Sequence, residues 1–359
     1  MIGKRIEHGL LGCLAVSALW LVAGCGGGEE TNGTGAPSGA SSKPGGGSGP
    51  RLLFITNGDS DWWSAVEKGM DDGAKKFGAQ VELKRNDGTS EGQIKKLEDA
   101  ISREDVQGVA ISVLEAEAPG ISDKMRELQK AGKVVITIDS DGPSDTRRAY
   151  IGTNNRKAGI QAGKAALAIR PQGGKTAVFV GKVAAANAIE RREGFFEGAG
   201  PKFTQIEPFE DQNDMNKAQE NVSTAITKYP DLGLLLGLWS YNAPRIAEEV
   251  GKNPALRKKI SVVTFDLDEM AVGQIEKGLI DATVCQNPYE MGYQGVRLLK
   301  AYVEKDDKTL AEMLPNGTTV IDTGVRVIVP TRESPVKGEN VIDIKAMKEW
   351  LSSKGLKSS

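Results

Sequence analysis

Short runs of aliphatic and β-branched residues alternate with longer amphipathic stretches from Leu52 onward. This alternation constrains the fold more than any other feature. Strands of a parallel sheet are covered on both faces, so they read as continuous apolar runs. Such runs fall at Leu52-Leu53-Phe54-Ile55, Val81-Glu82-Leu83, Val109-Ala110-Ile111 and Val134 to Ile138. Helical spacing lies between and after them, at Ser64 to Phe77, Gln93 to Ile101 and Pro119 to Ala131. The pattern restarts after Ile151-Gly152. Helices are predicted over Asn155 to Ile169, Glu190 to Glu197, Asp214 to Tyr229 and from Asn287 to about Glu304. Strands are predicted over Thr176 to Val180, Leu232 to Leu236, Ile260 to Phe265 and Ala282 to Cys285. The tail is less regular, with one strand near Thr323 to Val329 and a final helix over Ile344 to Leu351. Two βα arrays in series predict an α/β chain of two doubly wound parallel-sheet lobes. From Arg51 to the end the chain also exceeds the roughly 250–300 residues at which one core stops growing.

The first residues read as an export signal rather than as part of the fold. Lys4 and Arg5 form a positive n-region, and Leu10 to Val22 is an apolar run too short to span a bilayer, which takes about 20 residues. Leu21-Val22-Ala23-Gly24-Cys25 resembles a bacterial lipobox, in which small residues admit the peptidase and the thiol of Cys25 accepts lipid. Residues 1–24 are therefore expected to be a signal peptide. Residues 25–50 are expected to be an acylated, disordered tether, because residues 26–50 hold ten Gly and no apolar pattern. The expected location is the periplasm or the extracytoplasmic face of the envelope, with a membrane anchor. Which membrane is left open.

Residue scarcity narrows the chemistry. The one histidine is His8, inside the signal, so the mature chain has no imidazole for Ser-His-Asp or Cys-His catalysis or for a His-containing metal site. Cys13 leaves with the signal and Cys25 is the lipidation site, which leaves Cys285 alone as a small core residue without a disulfide partner. The 46 basic and 48 acidic side chains give no basic excess that would suggest nucleic acid. Gly173-Gly174-Lys175-Thr176 imitates the end of a phosphate loop, but Ile169 stands where the earlier Gly is needed. Asp211-Gln212-Asn213-Asp214 lacks full calcium-loop spacing and suits a helix start. No catalytic residue, metal or cofactor is expected.

Ligands of doubly wound sheets bind outside the carboxyl ends of the strands. Trp62 and Trp63 follow the first strand, and Trp239 follows the strand at Leu232 to Leu236. A lone Trp more often fills a core. Three of the four tryptophans outside the signal, at strand ends, point instead to a site with flat apolar surfaces. Asp139 ends Val134 to Ile138, Asp266 ends Val262 to Phe265, Gln286 ends Ala282 to Cys285, and Asn187 lies in the loop after Thr176 to Val180. One such Asp would more often cap a helix. Four polar groups at successive strand ends, from both arrays, fit a hydroxylated ligand with an apolar ring face.

Several stretches then fall in a recognisable order: Asp61-Trp62-Trp63 with Glu67-Lys68-Gly69, Val135-Ile136-Thr137-Ile138-Asp139, and Ile151-Gly152-Thr153-Asn154 with Ala158-Gly159. Asn187 to Phe195, Tyr229-Pro230-Asp231, Val263-Thr264-Phe265-Asp266 and Thr283 to Pro288 continue the series. The sequence resembles the ribose-type sugar-binding proteins of bacterial ABC transporters, whose type I periplasmic-binding fold is shared with LacI-type repressor cores. The resemblance covers residues 51 to about 330. It implies that Trp62 and Trp63 pack against a sugar ring, and that Asp139, Asp266 and Gln286 bond its hydroxyls. Asn187, Arg191 and Trp239 complete the candidate ligand set, with Arg191 open between ligand contact and structural partner. Ser140 stands where ribose-binding relatives have Arg, Ile189 where they have a second Arg, and Trp239 where they have Asn. A hexose, a modified sugar or another polyol is therefore as plausible a ligand as ribose.

The lobe boundaries implied are 51–153 with 287–320, and 154–286 with 321–359. The lobes are joined by a multi-crossover hinge near 151–154, 286–288 and 320–325. The function expected is the substrate-binding component of a carbohydrate transporter. Its partners would be a sugar or polyol, an ABC permease and the membrane, and the protein would be a monomer. A co-receptor for a membrane chemoreceptor or sensor kinase would share the pocket and differ in partner. An enzyme finds no nucleophile or metal set. A repressor conflicts with an export signal in place of a helix-turn-helix.

Overall fold

A computed structural model describes residues 49–116 and 118–359. The expected signal peptide, the expected lipidation site at Cys25 and the expected tether up to residue 48 lie outside the described residues.

The first sheet is built from β1 (Arg51–Ile55), β2 (Gln80–Lys84), β3 (Val106–Ile111), β4 (Val134–Ile138) and β5 (Tyr150–Gly152). The second follows with β6 (Gly174–Val180), β7 (Phe203–Gln205), β8 (Phe209–Glu210), β9 (Leu232–Gly237), β10 (Ser261–Phe265) and β11 (Ala282–Cys285). β12 (Val320–Asp322), β13 (Arg326–Val329) and β14 (Val341–Asp343) close the set. The first sheet runs β12-β5-β4-β3-β1-β2 and the second β14-β13-β11-β10-β9-β6-β7, with β8 also pairing β6. All pairings are parallel except β11 with β13. The two βα arrays share one order about their first strand, so each has its switch point beside β1 or β6.

The strand sequences explain this layering. β1, β3, β4 and β9 to β11 are almost wholly buried, and each sheet carries a hydrophobic cluster on both faces. Helices Trp62–Phe77 and Pro288–Glu304 cover one face of the first sheet, so the chain returns there after building the second. Helices Asn155–Ile169 and Ala186–Ala199 pack closely on the second sheet. A Cβ at Gly159 would stand 2.3 Å from Arg191 O, and one at Gly194 would stand 2.2 Å from Arg156 O. Only glycine permits this backbone approach, and it fixes where Arg191 sits.

Three segments cross between the sheets. Thr153-Asn154 follows β5, Gln286-Asn287 follows β11, and Thr323 to Val325 separates β12 from β13. Asn154 and Asn287 cap the helices that begin there, accepting from Lys157 N and Glu290 N. Thr323 N donates to Gly152 O at 2.8 Å, which ties the first crossing to the third. The strand expected near Thr323 to Val329 is β13, which begins three residues later at Arg326, and a separate strand, β12, precedes it in the other sheet. Gly324, at φ +72°, turns the chain between them in a conformation that favours glycine.

Candidate functional site

One cavity lies between the sheets at the carboxyl ends of their strands, with about 530 Å³ of empty volume, part of it open to solvent. Trp62, Trp63, Asp139, Asn187, Arg191, Trp239, Asp266 and Gln286 all line it. The structure thus brings the whole sequence-derived set together, from both lobes and one crossing.

The carboxylates occupy matched places. Asp139 follows β4 at φ +60°, and Asp266 follows β10 at φ +62°. Left-handed backbone is uncommon for non-glycine residues, and Asp and Asn tolerate it best. The turn lifts each side chain off its strand into the cavity. Asp139 Oδ2 accepts from Ser112 Oγ at 2.8 Å and Asn57 Nδ2 at 3.4 Å. Burial pushes the Asp139 carboxyl up to about 6; Arg191 and Ser112 oppose this, and Asp266 adds to it. Asp266 accepts from Gln286 Nε2 at 3.0 and 3.1 Å and from Gln286 N at 3.3 Å. Burial raises its carboxyl as well, against the pull of Arg191 and Gln286.

Arg191 is 1% exposed and mostly occupied by the protein. Its Nε donates to Asn155 Oδ1 at 2.9 Å and its Nη1 to Leu238 O at 2.8 Å. The guanidinium lies 4.8 Å over the Phe265 ring, with Asp266 Oδ2 3.6 Å from Nη1. Its Nη2 carries no hydrogen bond from the described residues. Arg191 is therefore a structural partner of its neighbours with one donor to spare.

Trp62 and Trp63 open the helix behind β1 and meet edge to face, centroids 4.8 Å apart. Facing them from the second lobe, Trp239 is held by its Nε1 donating to Asn187 Oδ1 at 3.2 Å and its N donating to Asn242 Oδ1 at 3.1 Å. Asn187 keeps its amide donors for the cavity. Gln286 Oε1 and Asn213 Nδ2 are likewise buried without a partner among the described residues. Flat indole faces combined with unspent donors and acceptors suit a ring that bears hydroxyls.

The cavity has further lining that the sequence reading missed, notably Asn57, Asn213, Met215 and Tyr241. Asn57 follows β1 by two residues, so the strand-end rule could have flagged it. Asn213 and Met215 follow β8, a strand of two residues that no apolar run reveals. Tyr241 donates to the buried Asp211 carboxylate at 2.6 Å, and burial raises that carboxyl. Asp214, by contrast, caps the helix from Met215 by accepting from Asn216 N and Lys217 N, the helix-start role expected of that stretch. Cys285, the last residue of β11, is 1% exposed, and burial pushes its thiol up to about 12. Among the described residues no group of three or more His, Cys, Asp or Glu is arranged to hold a metal. None of the described helices is long and apolar enough to cross a membrane.

Two doubly wound lobes, three crossings and a polar-aromatic cleft at the strand ends define the class of two-lobed cleft-binding proteins. The profile of the periplasmic binding protein domain matches residues 52–307, and the chain belongs to that family, whose members are extracytoplasmic binding proteins. It is 25% identical over 262 residues to the D-allose-binding periplasmic protein of Escherichia coli (strain K12), covering 69% of this chain and 82% of that one. An ABC transporter solute-binding protein from Burkholderia graminis C4D1M, solved with D-arabinose, superposes with a TM-score of 0.71 at 26% identity, over 78% of this chain and 95% of that one. GanP, a glucose-galactose binding protein from Geobacillus stearothermophilus, gives a TM-score of 0.71 at 26% identity over 79% and 99%.

Proposed function

We propose that this protein is the substrate-binding component of a carbohydrate ABC transporter and holds a monosaccharide or related polyol in the interlobe cavity. The observation that carries this reading is the convergence of three indoles with Asp139, Asp266 and Gln286 in one cleft. In this reading Trp62 and Trp63 take one face of the ring and Trp239 flanks it from the other lobe. Asp139 Oδ1, Arg191 Nη2, Asn187 and Gln286 Oε1 bond the hydroxyls. Ligand engages groups of both lobes only in the closed form, so binding shifts the population toward closure. A permease can then distinguish loaded from empty protein. Acylation at Cys25 anchors the monomer to the membrane through the Gly/Ser-rich tether. The related proteins that bind D-allose and D-arabinose support a sugar as the ligand class.

A thermal-shift screen of the purified protein against monosaccharides and polyols tests the reading. Binding to the folded form raises the melting temperature, by about 2.7 kcal/mol of added stability at a hundredfold excess over Kd. Asp266→Asn abolishes the shift while the protein stays folded. An unchanged shift in that variant removes Asp266 from the site, and no shift with any sugar refutes the reading.

A further inference from the structure

The charges that line the cavity do not balance. Asp139 and Asp266 reach in from opposite lobes, while Arg191 is the one Lys or Arg among the described lining residues. Arg191 and Gln286 together satisfy Asp266. Asp59 is exposed to solvent and pairs with Arg85 at 3.1 Å, a guanidinium it shares with Glu67, so its charge is not a buried one. The excess negative charge therefore resides on Asp139, which is 5% exposed. Its Oδ2 receives two neutral donors, and its Oδ1 accepts no hydrogen bond from the described residues. A buried carboxylate with neutral partners and a free oxygen lacks a compensating cation.

We propose that the ligand supplies this cation: the site prefers a monosaccharide bearing an amino group, placed on Asp139 Oδ1, and rejects acidic sugars. The inference rests on the sugar reading above and narrows it. An ammonium group at Oδ1 makes a charge-assisted hydrogen bond, stronger than one from a hydroxyl. Indole faces of Trp62, Trp63 and Trp239 add favourable surroundings for a cation. A carboxylate or phosphate on the sugar meets two buried acids instead, and finds the guanidinium already engaged by Asn155, Leu238 and Asp266. A neutral sugar offers hydroxyl donors to Oδ1 but no compensating charge, so its binding is favoured when Asp139 takes up a proton. The charged groups facing Asp139 are Arg191 and Asp266, and burial outweighs both in raising its carboxyl.

The test is isothermal titration of the purified full chain at neutral pH. The probes are neutral hexoses, the same hexoses with each hydroxyl in turn replaced by an amino group, and the matching hexuronates. At least one amino hexose is expected to bind about tenfold more tightly than its neutral parent, and the hexuronates at least about tenfold more weakly. In Asp139→Asn the ratio of amino to neutral affinity falls toward one. In Glu91→Gln, which removes an exposed acid outside the cavity, the ratio is kept. Lowering the pH through 6 strengthens neutral-hexose binding and closes the gap to the amino hexose. Neutral hexoses that bind as well as every amino counterpart overturn the charge inference and leave the sugar reading standing. A hexuronate that binds as well as its parent does the same. If no neutral, amino or acidic sugar binds, the sugar reading itself fails and this inference falls with it.

Discussion

Replacing Arg191 by Leu removes the one guanidinium that holds the two halves of the second lobe's site together. The loss can be followed bond by bond. Asn155 Oδ1 and Leu238 O lose donors at 2.9 and 2.8 Å, the Phe265 ring loses its cation, and Asp266 keeps a buried charge with only Gln286 to solvate it. Breaking a buried pair by removing one partner costs about 3–5 kcal/mol, because the remaining charge stays uncompensated. At roughly 2–4 °C per kcal/mol for large domains, the melting temperature drops by roughly 6–20 °C. Adding Asp266→Asn removes the stranded charge while Asn keeps the left-handed backbone, so the double variant recovers a large share of the loss. The sign with pH follows the same logic. The stranded carboxyl is raised above its unfolded value, so its penalty is full above that raised value and fades as pH falls through it toward the unfolded one. Urea denaturation of the wild type, both single variants and the double variant at neutral pH and near pH 5 forms the cycle. A loss under about 1 kcal/mol for Arg191→Leu, or a double variant no more stable than the single, would refute the assignment of Arg191 as the charge partner of Asp266.

Asp139, raised to about 6, penalises the folded state by up to about 3 kcal/mol above that pH. Without ligand, the wild type should therefore gain stability between pH 7 and 5 relative to Asp139→Asn, read as melting temperature against pH; parallel curves would contradict this. Gly159→Val forces apart two helices at backbone contact and should cost about 3 kcal/mol or more by overpacking, measured by denaturant unfolding. Trp239→Ala should weaken sugar binding by about tenfold or more through the lost ring face, at some cost in stability because the indole packs against the core of the second lobe, so binding is read by titration well below the variant's melting temperature. Cys285, buried with its thiol raised to about 12, should resist alkylation in the native protein and react only on unfolding, as read by mass spectrometry of its peptide.

Local signals carried most of the architecture. Apolar runs such as Leu234-Leu235-Leu236 and Val262-Val263 can only be strands covered on both faces, and each reappears in β9 or β10. The helices flanking them followed from period, and the structure adds Asn154 and Asn287 as caps of two of them. Short elements escaped this reading. β7, β8 and β12 span three, two and three residues, too few to show a period, and β13 runs antiparallel because the chain turns at Gly324.

The candidate site divides in the same way. By itself the sequence determined which chemistry the chain could offer: indoles, carboxylates and amides at successive strand ends, with no imidazole after His8. Strand ends are local, so their residues can be read in order along the chain. Only the tertiary structure decided that Arg191 spends its bonds on Asn155 and Leu238, that Gln286 serves Asp266, and that Asp139 keeps an unpaired carboxylate oxygen in the cavity. Charge compensation is settled by distances across the cleft between residues far apart along the chain, and no local pattern encodes those distances.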